Sequence, residues 1–162
     1  MTFAIAAALA LAVQTSPAPA AQTPPAPQGQ PTQANLEYSA PIAGNWIYGT
    51  AADGSEATFR DSAGQAQLTI RCTRSLRRVT ILKNAPSASP SIWIWTSSQT
   101  KSLPATYDVS SARVSTDLWA YDPLLDAIGA SRGRIGFSTS GLAALVVPPW
   151  ADVARVVEDC RV

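Results

Sequence analysis

The chain has 162 residues, among them 12 Lys and Arg, 11 Asp and Glu and no histidine, so its formal net charge is +1. Because a near-neutral chain has no strong overall field, this charge argues against nucleic acid or an anionic membrane as a partner. The absence of histidine excludes Ser-His-Asp and Cys-His catalysis within the chain and removes the commonest zinc ligand, so no metal and no cofactor are predicted.

Residues 1–21 have the pattern of a signal peptide. The apolar run FAIAAALALAV, from Phe3 to Val13, has the length of a signal-peptide core and falls short of the roughly 20 residues that a membrane span needs. Small residues around Ala20 offer a cleavage site. We expect a periplasmic or secreted protein with no stable membrane span after cleavage. No basic residue precedes the apolar run, so either the true start lies upstream or the signal is weak. A buried N-terminal helix is the alternative.

Residues 22–41 are rich in proline, alanine and glutamine. With so few large apolar side chains, this segment cannot bury enough surface to offset the entropy lost on ordering. It is predicted to be a disordered, polyproline-like linker, and a ligand for a proline-binding module is the alternative. Residues 42–162 are long enough to form a single β-rich domain with a hydrophobic core.

Apolar and polar side chains alternate with period two through much of this domain, which predicts β-strands. In the stretch QLTIRCT, for example, Leu68, Ile70 and Cys72 share one face, and polar residues occupy the other. The predicted strands cover residues 45–50, 56–60, 67–73, 76–83, 91–97, 106–109, 112–115 and 134–138.

Two helices are predicted in the C-terminal half. Asp122 caps the first, which covers residues 123–130 and begins with a proline. The second covers residues 149–159 and has an apolar stripe at helical spacing. Residues 141–145 fit a short helix or a strand equally well. The predicted fold class is α+β, a mainly antiparallel sheet or sandwich with two short C-terminal helices and one disulfide.

The disulfide is predicted between Cys72 and Cys160, the two cysteines of the chain. Cys72 lies on the apolar face of a predicted strand, and Cys160 follows the second helix. In an oxidising compartment these residues pair and tie the end of the chain to the sheet. Two free buried thiols in an intracellular protein are the alternative. A redox-active pair is not indicated, since there is no C-x-x-C motif.

Carboxylates are the main candidates for catalysis in this chain. Asp117, Asp122 and Asp126 cluster around the first predicted helix, and a glycosidase-type site needs two carboxyl groups about 5–10 Å apart across a cleft. Serine–lysine chemistry would need Lys83 or Lys101 buried beside a serine, which the spacing does not indicate. A small carboxylate-dependent hydrolase acting on cell-wall or glycan substrates is therefore the alternative function. If these aspartates are not catalytic, we expect one to cap the helix and the others to be solvated.

Aromatic and basic side chains form the candidate binding surface. Two tryptophans project from the same face of the strand predicted at 91–97, where they either pack in a core or hold a sugar ring or a peptide. Four arginines surround the hairpin predicted near residue 75, where the alternative is a solvated hairpin paired with acidic residues. The candidate binding surface consists of Trp93, Trp95, Arg71, Arg74, Arg77 and Arg78.

Two short motifs carry a family resemblance. Leu68 to Cys72 form an L-x-I-x-C strand, and Phe137 to Leu142 form an F-x-x-x-G-L segment before a C-terminal cysteine. In these features the chain resembles small periplasmic accessory proteins associated with type VI secretion. The resemblance implies a non-enzymatic β-rich adaptor and transfers no catalytic residue. We therefore expect an exported, non-catalytic domain that binds or scaffolds a protein or glycan of the cell envelope.

Overall fold

The computed structural model of the protein describes residues 38–162. The predicted signal peptide and all but the last four residues of the predicted linker lie outside the described residues. In this part of the chain none of the helices has the length and hydrophobicity needed to span a bilayer. It contains two antiparallel β-sheets, two α-helices in the C-terminal half and one disulfide, as predicted.

Ten strands make up the two sheets. Their bounds are β1 Gly44–Ala51, β2 Gly54–Asp61, β3 Ala66–Thr73, β4 Arg78–Asn84, β5 Ser91–Trp95, β6 Thr100–Pro104, β7 Thr106–Asp108, β8 Arg113–Trp119, β9 Ile135–Thr139 and β10 Leu145–Val147. The helices are α1 Pro123–Gly129 and α2 Ala151–Asp159, and a 3-10 turn covers Arg74–Leu76. The six-stranded sheet has the order β1-β2-β3-β4-β8-β7, and the four-stranded sheet has the order β10-β9-β5-β6.

The hydrophobic core lies between the inner faces of the two sheets and the two helices. Helix α2 packs on β1, β2 and β3, and α1 packs against α2. Because side chains alternate along each strand, one face of each strand enters this core. Its largest fully buried side chains are Phe59, Leu68, Ile70, Val79 and Ile81 from the six-stranded sheet, Ile92, Ile94, Ile135 and Phe137 from the four-stranded sheet, and Leu124, Leu125 and Ile128 from α1.

Local sequence signals explain where α1 begins. Pro123 occupies its first turn, and the Asp122 carboxylate accepts a hydrogen bond from the Leu124 N–H at 2.9 Å. Helix α2 begins at Ala151, two residues later than predicted, because Trp150 has extended backbone angles and is 40% exposed. The valines of α2 supply its packing face.

Weak strands were the elements that the alternation pattern missed. Strand β6 was not predicted, because TKSLP carries one buried apolar side chain and lies at a sheet edge. The undecided stretch 141–145 ends in β10, which is three residues long. Strand β8 continues to Trp119 rather than ending at residue 115. Strands β6 and β10 depend on their neighbours in the sheet more than on their own sequences.

The predicted disulfide is present and joins two distant parts of the chain. Cys72 in β3 and Cys160 after α2 are 88 positions apart in sequence, with Cα atoms 5.4 Å apart. Both residues are buried in the main core. The bridge therefore fastens the end of α2 to the middle of the six-stranded sheet.

Candidate functional site

The two tryptophans of the candidate binding surface lie in the four-stranded sheet, on the face of β5 that points away from the main core. Trp95 is only 3% exposed and packs against Val146, with Trp93 and Ala144 packed on this pair. Trp93 itself is partly buried. Trp95 is thus part of a small second core rather than an open stacking platform.

The four arginines lie in the other sheet and its β3–β4 connection, so the structure does not bring them together with Trp93 and Trp95. Arg71 pairs with Glu56 across β2 and β3, with nitrogen and oxygen 2.7 Å apart. Arg74 donates to the backbone oxygen of Asp159 at 3.1 Å.

Arg77 and Arg78 instead lie beside a different pair of aromatic residues. Arg78 is directly opposite Trp119 in the β4–β8 register, with its Cζ atom 5.9 Å from the centroid of the Trp119 ring. Arg77 donates to the hydroxyl of Tyr121 at 3.1 Å and to the backbone oxygen of Arg161 at 2.9 Å. We call Arg77, Arg78, Trp119, Tyr121 and Arg161 the aromatic–arginine surface.

Period-two alternation at the end of β8 places both rings outside. Leu118 and Ala120 are buried, while Trp119 and Tyr121 are 48% and 50% exposed. The two ring centroids are 6.2 Å apart. The Ala120 N–H donates to the Arg77 backbone oxygen at 2.9 Å, which fixes this segment against the hairpin. The rings thus form one exposed aromatic pair on a rigid base.

Arg161 holds the Tyr121 side of this surface in place. Its guanidinium donates to the Ala120 backbone oxygen at 2.9 Å and pairs with Asp126 at 2.7 Å and Glu158 at 3.2 Å. The same group lies 5.6 Å from the Tyr121 ring centroid, and the Tyr121 hydroxyl donates to the Arg161 backbone oxygen at 2.9 Å. Because these groups are already ordered before a partner binds, the entropy cost of binding is lower.

Arg78 is the basic group of this surface that is open to a partner. It is exposed, and within residues 38–162 its guanidinium contacts the Trp119 ring without a hydrogen-bonded or ion-paired acid. A guanidinium presents donors in a planar fork that matches a carboxylate, and the ring beside it can stack on an apolar or cyclic group. The arrangement can therefore bind an anion that carries a flat or apolar group.

The candidate catalytic carboxylates are each engaged in a structural contact. Asp117 lies exposed on the outer face of the six-stranded sheet, where it accepts a hydrogen bond from Thr80. Asp122 caps α1 and pairs with Lys101 at 3.2 Å. Asp126 pairs with Arg161. Each of the three carboxylates therefore has its own structural partner. This arrangement gives no geometric support to the hydrolase alternative, which needs two carboxyl groups facing each other across a cleft.

Lys83 is a buried titratable group with a structural contact. It occupies a core-facing position between Leu68 and Val114 in the sheet register and is 5% exposed. Burial lowers its pKa, and its ammonium donates to the Asn84 backbone oxygen at 3.2 Å. The aliphatic part of the side chain thus packs along the core, and the ammonium group at its end is hydrogen-bonded to a backbone carbonyl.

Uncharged residues, both polar and apolar, line an open pocket at the end of β4. It has a volume of about 340 Å³, and its lining consists of Gln67, Asn84, Ala85, Pro86, Ser111 and Ala112. Across residues 38–162, no three acidic, cysteine or histidine side chains are grouped so that they could hold a metal ion. The aromatic–arginine surface therefore remains the strongest candidate site.

Part of this surface carries a sequence signal. The alternation of Leu118, Trp119, Ala120 and Tyr121 indicates that the two rings share a face, but their segment was predicted as a strand only to residue 115. The pairing of Arg78 with Trp119 depends on the β4–β8 register, which joins residues 41 positions apart. Nothing local in the sequence reveals that register.

Known proteins give no assignment for this surface. A scan of protein-family models, a search of curated proteins and a search of solved structures each found no match to the chain. Its role is therefore inferred from the geometry and chemistry described above.

Proposed function

We propose that the chain is an exported, disulfide-linked, non-catalytic domain that binds another component of the cell envelope through the aromatic–arginine surface. The observation that carries this proposal is the half-exposed Trp119–Tyr121 pair beside Arg78, which forms no salt bridge within residues 38–162. Tryptophan, tyrosine and arginine are the residues most enriched among those that dominate binding energy at interfaces.

The proposed partner presents a carboxylate to Arg78 and a ring or apolar group to Trp119. Acidic protein segments and acidic glycans of the envelope both carry this chemistry. The likeness of the L-x-I-x-C and F-x-x-x-G-L segments to type VI secretion accessory proteins supports an adaptor that acts on a protein, so a protein partner is the favoured form of the proposal.

Site-specific photo-cross-linking in the native host tests the surface. A photoreactive residue at Trp119 should give a discrete cross-linked product from the envelope, while one at Val109, which is 80% exposed elsewhere, should not. Arg78→Glu should weaken the interaction roughly tenfold or more, because it reverses the charge that faces the partner. The thermal midpoint should fall by no more than a few degrees, since Arg78 has no ion pair within the described residues and the variant loses only the contact with the exposed Trp119 ring.

The same experiment distinguishes the partner classes. A protein gives a product that proteases digest, and an acidic glycan gives one that polysaccharide-degrading enzymes shift. Equal cross-linking from Trp119 and Val109, or Arg78→Glu binding as well as the wild type, would contradict the proposal.

Export is tested by mass spectrometry of the native protein. We expect an N-terminus created near Ala20 or Ala21 and no thiol that reacts with an alkylating agent before reduction. An intact leader together with two alkylated cysteines would exclude the envelope as the site of action.

A further inference from the structure

The two sheets have four edges, at β1, β7, β10 and β6. An edge strand exposes backbone N–H and C=O groups that can pair with another chain, and proteins protect such edges with short strands, charges, prolines or a covering segment. In the part of the chain that the structure describes, three of these four edges carry such a device, and β1 does not.

Each of the three protected edges has an identifiable device. Strand β7 is only three residues long and ends in Asp108. Strand β6 contains Lys101 and Pro104. Strand β10 also has three residues, and the Ile42 N–H donates to the Val146 oxygen at 2.9 Å, so the preceding chain covers part of this edge.

Strand β1 is long, regular and uncharged. Its eight residues, GNWIYGTA, contain no charged side chain and no proline. It pairs with β2 over its full length without a bulge, and within residues 38–162 no strand pairs with its other side. On its outer face Ile47 is 52% exposed, and the space above Gly49 is open.

The inner face of β1 is firmly held, so the edge is presented in a fixed shape. Trp46 is buried against Phe59 and donates from its indole nitrogen to the Pro148 oxygen at 2.8 Å. The Tyr48 hydroxyl donates to the Asp159 carboxylate at 2.7 Å. On the same face the Cζ atom of Arg155 lies 3.9 Å from the centroid of the Tyr48 ring, while β1 itself carries no charged side chain. A rigid edge strand of this kind is suited to the addition of a further strand.

We propose that β1 pairs in antiparallel fashion with β1 of a second copy of this chain, about a two-fold axis at Ile47. The pairing joins the two six-stranded sheets into one continuous sheet. A two-fold interface is isologous, so one edge supplies both halves of it. This proposal does not depend on the proposed function, since the aromatic–arginine surface lies on the β3–β4 connection, β4, β8 and the residues that follow β8 and α2.

The side chains of β1 are complementary under this two-fold axis. Ile47 faces Ile47 of the second copy, which covers two half-exposed apolar side chains. Asn45 then faces Gly49 of the second copy, whose open side has room for the amide. Cross-strand apolar pairs of this kind stabilise sheets.

The charges of β2 do not oppose this pairing, and Glu56 is already paired with Arg71. Arg60 lies beside Asn45, and Glu56 lies beside Gly49. The two-fold axis therefore places Arg60 and Glu56 of the second copy in the same cross-strand row.

Sedimentation of the mature protein over a range of concentrations tests the dimer. We expect a reversible monomer–dimer equilibrium. Ile47→Lys should raise the dissociation constant at least tenfold, because it places two ammonium groups face to face. Leu76→Lys, the same kind of change at a 64% exposed site in the β3–β4 connection, should leave it unchanged.

Cysteine cross-linking tests the register and does not depend on the lysine variant folding. Under mild oxidation Ile47→Cys should link to itself, whereas Asn45→Cys should link to Gly49→Cys in a mixture and not to itself. A protein that is monomeric at all concentrations, a dimer that Ile47→Lys leaves intact, or a dimer in which Asn45→Cys links to itself would each overturn the proposal. Capture of a strand from a different protein by a monomeric chain would overturn it as well.

Discussion

Asp159 shows how a single side chain ties the C-terminal helix to the sheet. Its carboxylate accepts hydrogen bonds from the Ser55 hydroxyl at 2.6 Å and the Tyr48 hydroxyl at 2.7 Å. These bonds lower the pKa of Asp159, and the positive charges of Arg155 and Arg74 lower it further. A carboxylate in the last turn of a helix is unfavourable by itself, so these contacts offset its position.

Asp159→Asn should lower the free energy of unfolding at pH 7 by about 1–3 kcal/mol, because it weakens hydrogen bonds to a charged acceptor. Since the folded-state pKa lies below the ordinary value of 3.8, the stabilisation is complete above that value and is lost as pH falls through the folded-state pKa. Urea unfolding at pH 7 and at pH 3 or lower measures this.

Asp152→Asn, in the first turn of the same helix, is the matched control and should change stability by only a few tenths of a kcal/mol. A deficit of Asp159→Asn that stays the same from pH 7 to strongly acidic pH would show that the charge of the carboxylate is not what stabilises the fold.

At the scale of elements, strong local signals predicted the structure and weak ones did not. The Asp122–Pro123 start of α1 and the alternation in β3 were both read correctly, because caps and period-two patterns act over a few residues. Strand β6 was not predicted and β10 was left undecided, because short edge strands form where a neighbouring strand offers hydrogen bonds. Their own side chains contribute little to the preference for the strand conformation.

The cap of α1 can be tested separately from the ion pair beside it. Asp122→Ala removes both the hydrogen bond to the Leu124 N–H and the pair with Lys101, and should lower the free energy of unfolding by about 1–2 kcal/mol. Asp122→Asn keeps the cap and loses only the partly exposed ion pair, so its loss should be below about 1 kcal/mol. Thermal unfolding of both variants measures the difference; equal losses would assign the effect to Lys101.

At the scale of the whole molecule, the Cys72–Cys160 bridge closes most of the folded chain into a loop. Replacing both cysteines with alanine should lower the free energy of unfolding by about 2–5 kcal/mol, because the unfolded chain regains the entropy that the cross-link removed. Denaturant unfolding with and without a reductant measures this. The reductant should lower the free energy of unfolding of the wild type and leave that of the double variant unchanged. An unchanged free energy of unfolding for wild-type protein whose bridge is shown to be reduced would contradict the expectation.

The amino-acid sequence by itself determined the strand-rich class, the cap of α1 and the identity of the cysteine pair, because these follow from periodicity, local hydrogen bonding and the presence of two cysteines. Only the tertiary structure decided that Trp95 is buried, that Arg78 lies opposite Trp119 and that β1 is an edge of the sheet formed within residues 38–162. Those features depend on strand register and on which layer each face meets. Both are settled by packing between residues far apart in sequence, where local preferences carry no information.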